Sequence, residues 1–213
     1  IEADVALLSR HLRENDIVFI PDDKEVYPAP DNRIFSFGNL DKVMEALHRP
    51  GHFNGVAQVV SRLFDIVRPN AAFFGLKDLQ QVAVIRSMVK QLKLGVKIIA
   101  CPIIREPDGL AMSSRNRLLE EGVRKKAPVI YKTILKAAEM IKEKDVPEIK
   151  KFVKSFIGKE AGFRIEYFEI VDDTDLIPVS TRSKMKKGKR YYGCIAVKAG
   201  KIRLIDNIEI PLE

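Results

Sequence analysis

Ala71-Ala72-Phe73-Phe74-Gly75-Leu76-Lys77-Asp78 runs from an apolar stretch straight into a glycine, a lysine and an aspartate. Four apolar residues between Asn70 and Gly75 suit a strand and are too few for a helix. Upstream, Val56, Val59, Val60, Leu63, Phe64 and Val67 recur at helical spacing until Arg68-Pro69-Asn70 stops them. Downstream, Val82, Ile85, Met88, Val89 and Leu92 do the same in a helix predicted over residues 78–93, and a second apolar run follows at 96–100. Strands that are apolar throughout, alternating with amphipathic helices, imply a parallel sheet covered on both faces. Ligands collect beyond the carboxyl ends of such strands, where residues 75–78 and 102–105 both fall.

Farther out the pattern changes. Val5, Leu8 and Leu12 predict a helix over residues 2–13. Ile17-Val18-Phe19-Ile20, stopped by Pro21-Asp22-Asp23, predicts a buried strand, and Ile34-Phe35-Ser36-Phe37 a weaker one. Leu40, Val43, Met44 and Leu47 predict a short helix, broken at Arg49-Pro50-Gly51-His52. Residues 101–117 have no periodicity, as expected of a functional loop. Helices follow over 119–143, interrupted near Pro128, and over 146–160, and then strands at 163–171, 191–197 and 202–206. Helices first and strands last imply a small α+β domain over 106–213, after a nucleotide-binding Rossmann-like domain over 1–105.

With 213 residues, 46% hydrophobic and 31% charged, the chain can bury a real core, which argues against disorder. No apolar run approaches a membrane span. Ile1-Glu2-Ala3-Asp4 resembles neither a signal nor a transit peptide. The missing Met, and an opening inside a helix, imply a piece of a longer polypeptide. Cys101 and Cys194 form no Cys-x-x-Cys, so a reducing cytoplasm is expected. His11, His48 and His52 do not cluster at ligand spacing, so no metal site is expected. The net charge of +8 favours anionic partners. Much of it sits in residues 181–190, where the lack of interleaved aromatics favours a solvated hairpin tip over a nucleic-acid surface.

Two motifs carry chemistry. At Gly75-Leu76-Lys77-Asp78, a glycine would let the chain turn close to a ligand, the next helix would present free N–H groups to an anion, and Lys77 would add a point charge. The same residues also read as a turn glycine, a surface lysine and an N-cap aspartate. Met112-Ser113-Ser114-Arg115-Asn116 offers hydroxyls, backbone N–H groups and a guanidinium fork to phosphate. Equally, Ser114 or Asn116 caps the helix entered by Leu118 and Leu119. Arg49 faces an anion or turns a helix corner. Gln80 and Gln81 open the helix after the lysine turn; one of them could bind a carboxylate or hydroxyl, though such residues are usually solvated, and the pair alone singles out neither.

Taken jointly and in order, Arg49-Pro50-Gly51-His52-Phe53, Phe74-Gly75-x-Lys77-Asp78-x-x-Gln81, Asp108-Gly109-Leu110-Ala111, Met112-Ser113-Ser114-Arg115-Asn116, Tyr167-Phe168-Glu169-Ile170-Val171 and Arg203-Leu204-Ile205-Asp206-Asn207 resemble the pantoate–β-alanine ligases. The resemblance covers essentially the whole chain and implies a nucleotidyltransferase fold related to class I aminoacyl-tRNA synthetases. It implies that ATP, with Mg²⁺, activates the pantoate carboxylate as an adenylate that the β-alanine amine then attacks. By position it implies ATP binding by Gly75, Leu76, Lys77, Asp78, Ile104, Met112, Ser113, Ser114 and Arg115. Lys77, Ser113, Ser114 and Arg115 would be catalytic, Gln81 would bind pantoate, and Arg49 is a possible phosphate contact. A homodimer in the cytoplasm is implied, with no nucleic acid or membrane partner. The family's early His-x-Gly-His motif has no counterpart here. On that ground a polypeptide truly starting at Ile1 is expected to have negligible ligase activity. The alternative is a non-catalytic nucleotide- or nucleic-acid-binding module.

Overall fold

An apolar run becomes a strand only if its backbone polar groups find partners. The computed structural model of the protein, which describes residues 2–212, shows which runs do. In chain order the elements are α1 (Glu2–Ser9), α2 (Asp23–Val26), a 3₁₀ turn (Gly38–Asp41), α3 (Glu45–His48), α4 (His52–Val67), β1 (Ala71–Gly75), a 3₁₀ turn (Leu76–Asp78), α5 (Leu79–Gln91) and β2 (Lys97–Cys101). A 3₁₀ turn (Ser114–Leu118), α6 (Glu121–Lys126), α7 (Val129–Met140), α8 (Val146–Gly158), β3 (Phe163–Asp172), a 3₁₀ turn (Arg182–Lys184), β4 (Tyr191–Ala199) and β5 (Ile202–Ile210) follow.

β1 and β2 pair in parallel from Ala71 opposite Lys97 to Gly75 opposite Cys101, so their carboxyl ends lie side by side. α5 makes the crossover between them, and α4 ends where Arg68 turns left-handed (φ 50°) before Pro69, which cannot continue a helix. This is the expected parallel α/β unit. The expected α+β unit follows it: β3, β4 and β5 form an antiparallel sheet in that order, with Ala199 opposite Ile202 across a tight turn at Gly200, whose φ is +59°.

Period-2 alternation gives this sheet two different faces. Ile195, Val197, Leu204 and Ile210 pack on Ile130 and Ile134 of α7 and on Ile149 and Val153 of α8. Val171, Tyr192 and Cys194 point the other way and join the core of Phe53, Phe64, Leu79 and Met88. The antiparallel sheet therefore lies between its own helices and the parallel unit, which brings β5 against the lysine turn.

Three expectations fail. Ile17-Val18-Phe19-Ile20 forms no strand and Ile17 is 87% exposed, because this segment pairs with no strand among the described residues. Ile34-Phe35-Ser36-Phe37 forms no strand either. Its backbone is claimed by side chains: Asn54 Oδ1 accepts from Phe35 N, Asp41 Oδ2 accepts from Phe37 N, and Gln58 donates to Arg33 O. The helix expected through Leu40 and Leu47 breaks in two, with Met44 at φ 44°. Gln80 Nε2 takes the carbonyls of Leu40 and Val43 at 2.7 and 2.9 Å, which a continuous helix would need for itself. Two boundaries also shift: α1 stops at Ser9 and buries nothing, and β5 runs on to Ile210.

The aperiodic segment after β2 is ordered as a narrow hairpin. Arg105 bridges Ala111, and Met112 N donates to Ile104 O at 2.9 Å. Gly109 turns it at φ +92°, where an added Cβ would sit 2.5 Å from Tyr131 Cδ1. Gly109→Ala is therefore expected to lower unfolding free energy by about 1–3 kcal/mol, through strain and displacement of the ring. Chemical denaturation measures this, and an unchanged midpoint would show that the hairpin relaxes freely.

Candidate active site

The lysine turn is held from behind. Asn207 of β5 donates through Nδ2 to the carbonyls of Leu76 and Lys77 at 2.8 and 3.1 Å. The neighbouring Asp206 points to the other face of β5, where Arg105 grips it with both guanidinium nitrogens (2.7 and 3.1 Å) and lies 3.8 Å over the Tyr131 ring. Burial pushes the Asp206 carboxyl pKa up against the pull of Arg105. β5 thus fixes both the lysine turn and the base of the hairpin.

Two adjoining cavities open beyond the carboxyl end of β1. The first, with about 420 Å³ of empty space, is lined by Arg49, His52, Lys77, Asp78, Gln81 and Tyr167, among others. The second, with about 320 Å³, is lined by Lys77, Ser113, Arg115 and Asn116 together with Arg203 and Asp206. Lys77 stands on the wall of both. Its side chain, like those of Asp78, Gln81 and Arg115, engages no other described residue by hydrogen bond or ion pair. The lysine turn and the Ser-Ser-Arg loop therefore meet across shared space.

The remaining candidates are placed differently. Gly75 and Leu76 lie behind the lysine, and Ser114, Ile104 and Met112 line neither cavity. Gly75 has φ −71° and open space where a Cβ would be, so the turn needs no glycine for its shape; what the glycine leaves is room above the strand end. Asp78 stands at the N-cap of α5 without a side-chain cap bond, leaving its carboxylate for the cavity. Neither Ser114 nor Asn116 caps a helix; Ser113 does, accepting from Arg115 N at 3.3 Å. Gln80, the neighbour of Gln81, is a buried bracket for the 40–45 backbone. Arg49 Nη1 lies 2.9 Å from His52 Nε2, and burial and Arg49 together lower the His52 pKa, so a neutral ring accepts from the guanidinium.

Sequence reading assigned no role to Glu45, Tyr167 or Arg203. Arg203 of β5 bonds both Glu45 oxygens at 2.7 Å and Glu166 at 2.6 Å, and Tyr167 O–H donates to Glu45 at 2.8 Å. Arg203 and Asn207 are odd-numbered residues on the face of β5 turned to the parallel unit, which strand periodicity could have revealed. Burial alone would raise the Glu45 and Glu166 pKa values, but the bonds to Arg203 outweigh it and hold both below their ordinary 4.5. The stabilisation from this cluster is therefore complete above pH 4.5 and lost as pH falls through the depressed native values. Acid titration of unfolding free energy should show that loss, and Arg203→Met, which leaves both carboxyls to the effect of burial, should reverse the trend so that acidification recovers stability.

No three His, Cys, Asp or Glu side chains cluster at metal-binding distance among the described residues, and no helix there is long and apolar enough to cross a membrane. In the basic run, Arg182, Lys184 and Arg190 bond to Lys142 O, Ser180 and Asp173.

The pantoate-beta-alanine ligase family model matches residues 1–209. A pantothenate synthetase of Phocaeicola vulgatus is 50% identical over 193 residues, covering 90% of this chain and 67% of the relative. The crystal structure of pantothenate synthetase from Thermus thermophilus superposes with a TM-score of 0.88 at 39% identity, covering 99% of this chain and 75% of that one. A pantoate-beta-alanine ligase from Francisella tularensis, complexed with beta-gamma ATP and beta-alanine, matches with a TM-score of 0.69 at 31% identity, covering 97% of this chain and 69% of that one.

Proposed function

The chain belongs to the pantoate–β-alanine ligase family, and on that premise we propose how its two cavities divide the work. The reaction is the ATP-dependent joining of pantoate and β-alanine to pantothenate through pantoyl adenylate, with release of AMP and pyrophosphate. Lys77 carries the reading, as a cation on the wall common to both cavities with no hydrogen bond or ion pair to another described residue. It meets the phosphates from one side, and Ser113, Ser114 and Arg115 meet them from the hairpin side. Gly75 leaves space for the nucleotide, Asp78 takes ribose hydroxyls, and the Ile104 backbone and Met112 flank the adenine end. Gln81 binds pantoate, with Arg49 held by His52 as a further anion contact.

The chemistry explains this choice of residues. Charge builds on the α-phosphorus oxygens as the carboxylate attacks, and donors already fixed in place need no reorganisation at that moment. Mg²⁺ keeps several waters and is held mainly by substrate phosphates plus one or two carboxylates. Substrate phosphates would therefore be its main ligands here, with Asp78 kept for the ribose. A homodimer and a cytoplasmic location complete the proposal; sedimentation and cell fractionation test them. We read the chain as two units meeting near Arg105, residues 1–105 and 106–213.

The direct test follows pantothenate and AMP with all three substrates, and adenylate formation by pyrophosphate exchange without β-alanine. Exchange that needs pantoate supports the reading. Exchange with other acids but not pantoate overturns the substrate. Arg115→Ala is expected to raise the KM for ATP about 10–100-fold, the loss of a charge-assisted bond worth about 1.5–3 kcal/mol, and to leave the KM for β-alanine near its parent value.

A further inference from the structure

Nearly all buried side-chain polar atoms in folded proteins find a hydrogen-bond partner, and one left unpaired costs about 1–3 kcal/mol. Among the described residues a single such atom has none, Oδ1 of Asn116. Asn116 directly follows Ser113, Ser114 and Arg115, is 7% exposed, and lines the second cavity with Lys77, Ser113 and Arg115.

The amide orientation is decided by its partners. Nδ2 donates to Ala111 O at 3.1 Å and reaches Glu106 Oε1 at 3.5 Å. Both partners only accept, so the flipped amide would set oxygen against oxygen. Nδ2 therefore faces the hairpin and Oδ1 faces away from it.

The cavity that Asn116 lines is rich in groups that only donate. Lys77, Arg115 and Arg203 donate only, and Asp206 is tied to Arg105. Such a cavity draws an anion, yet Oδ1 would repel a phosphate or carboxylate oxygen. A hydroxyl carried by the anionic ligand suits it. Both pantoate and the ribose of ATP bring hydroxyls beside an anionic group.

We propose that Asn116 is a specificity-determining residue whose Oδ1 accepts a hydrogen bond from a substrate hydroxyl, on the ribose of ATP or on pantoate. This rests on the ligase reading above. A buried acceptor built for a hydroxyl rejects the analogue that lacks it, because binding then leaves the acceptor unpaired. No protein group satisfies that oxygen, and the correct substrate would do so.

The test compares kcat/KM for ATP, 2′-deoxy-ATP and 3′-deoxy-ATP, and for pantoate against analogues lacking one hydroxyl, in the parent protein, Asn116→Ala and Asn116→Ser. The parent should disfavour one analogue at least about tenfold. Asn116→Ala should drop the natural substrate to that analogue's level while leaving the analogue unchanged. Asn116→Ser, which keeps an accepting oxygen, should recover part of the difference. Which analogue responds tells ribose from pantoate. Equal losses for natural substrate and every analogue would mean a purely structural asparagine and overturn the proposal. Should the variants not fold, a parent protein that disfavours no analogue overturns it alone. Pantothenate formation without hydroxyl discrimination sinks only this inference, whereas no pantothenate from the natural substrates, with the protein as its cell makes it, sinks the ligase reading with it.

Discussion

Lys77→Ala is expected to lower kcat for pantothenate formation by about 10²–10³-fold, the effect of removing one preorganised donor from a developing oxyanion, worth about 2.7–4 kcal/mol. The side chain has no hydrogen bond or ion pair to any other described residue, so the fold should not notice its loss. The melting temperature should stay within a degree or two while the rate collapses. Lys77→Arg should recover only part of the rate, since a planar fork cannot place its charge where a compact ammonium sits. A kcat within threefold of the parent would remove Lys77 from the chemistry and with it the reason for joining the two cavities into one site.

Arg105→Ala is expected to cost stability instead, by about 3–5 kcal/mol, the usual penalty for leaving a buried charge without its partner. Arg105 holds Asp206 in two bonds, donates to Gly109 O and Asn207 O, and covers the Tyr131 ring. Asp206 is 4% exposed. Its pKa is already raised by burial, and without Arg105 it should rise further, so the variant should recover stability on mild acidification as the carboxyl takes up a proton. Adding Asp206→Asn should restore part of the loss at neutral pH. Urea unfolding of the four proteins gives the coupling. A loss under about 1 kcal/mol would mean that water reaches Asp206 freely.

The parallel unit was legible because its signals are local. Phe73 and Phe74 between Asn70 and Gly75, and the periodic α4 and α5, need no distant partner to be recognised. The failures are all non-local. Ile17-Val18-Phe19-Ile20 has strand composition, but pairing decides strands. The 38–48 segment has helical spacing, but Gln80, 37 and 40 residues away, takes the carbonyls of Val43 and Leu40. The site divides the same way. Lys77, Ser113 and Arg115 stand out by residue type within short motifs, whereas Gln81 is singled out only through the family resemblance. Glu45 and Tyr167 matter through contacts across the chain, which no window of sequence displays; for Arg203 and Asn207 strand periodicity gives the face but not the partner.

Asp206 and Asn207 are consecutive residues whose side chains leave β5 from opposite faces, one to Arg105 and one to the lysine turn. A slip of β5 against β4 by a single residue would exchange those directions and release both grips at once. The pairing of Ala199 with Ile202 around Gly200 sets that alignment. The hairpin tip at Gly200, which lines neither cavity, is thus where the phasing of the walls around both is set. Changes in loop length there should prove as damaging to turnover as changes within the cavities.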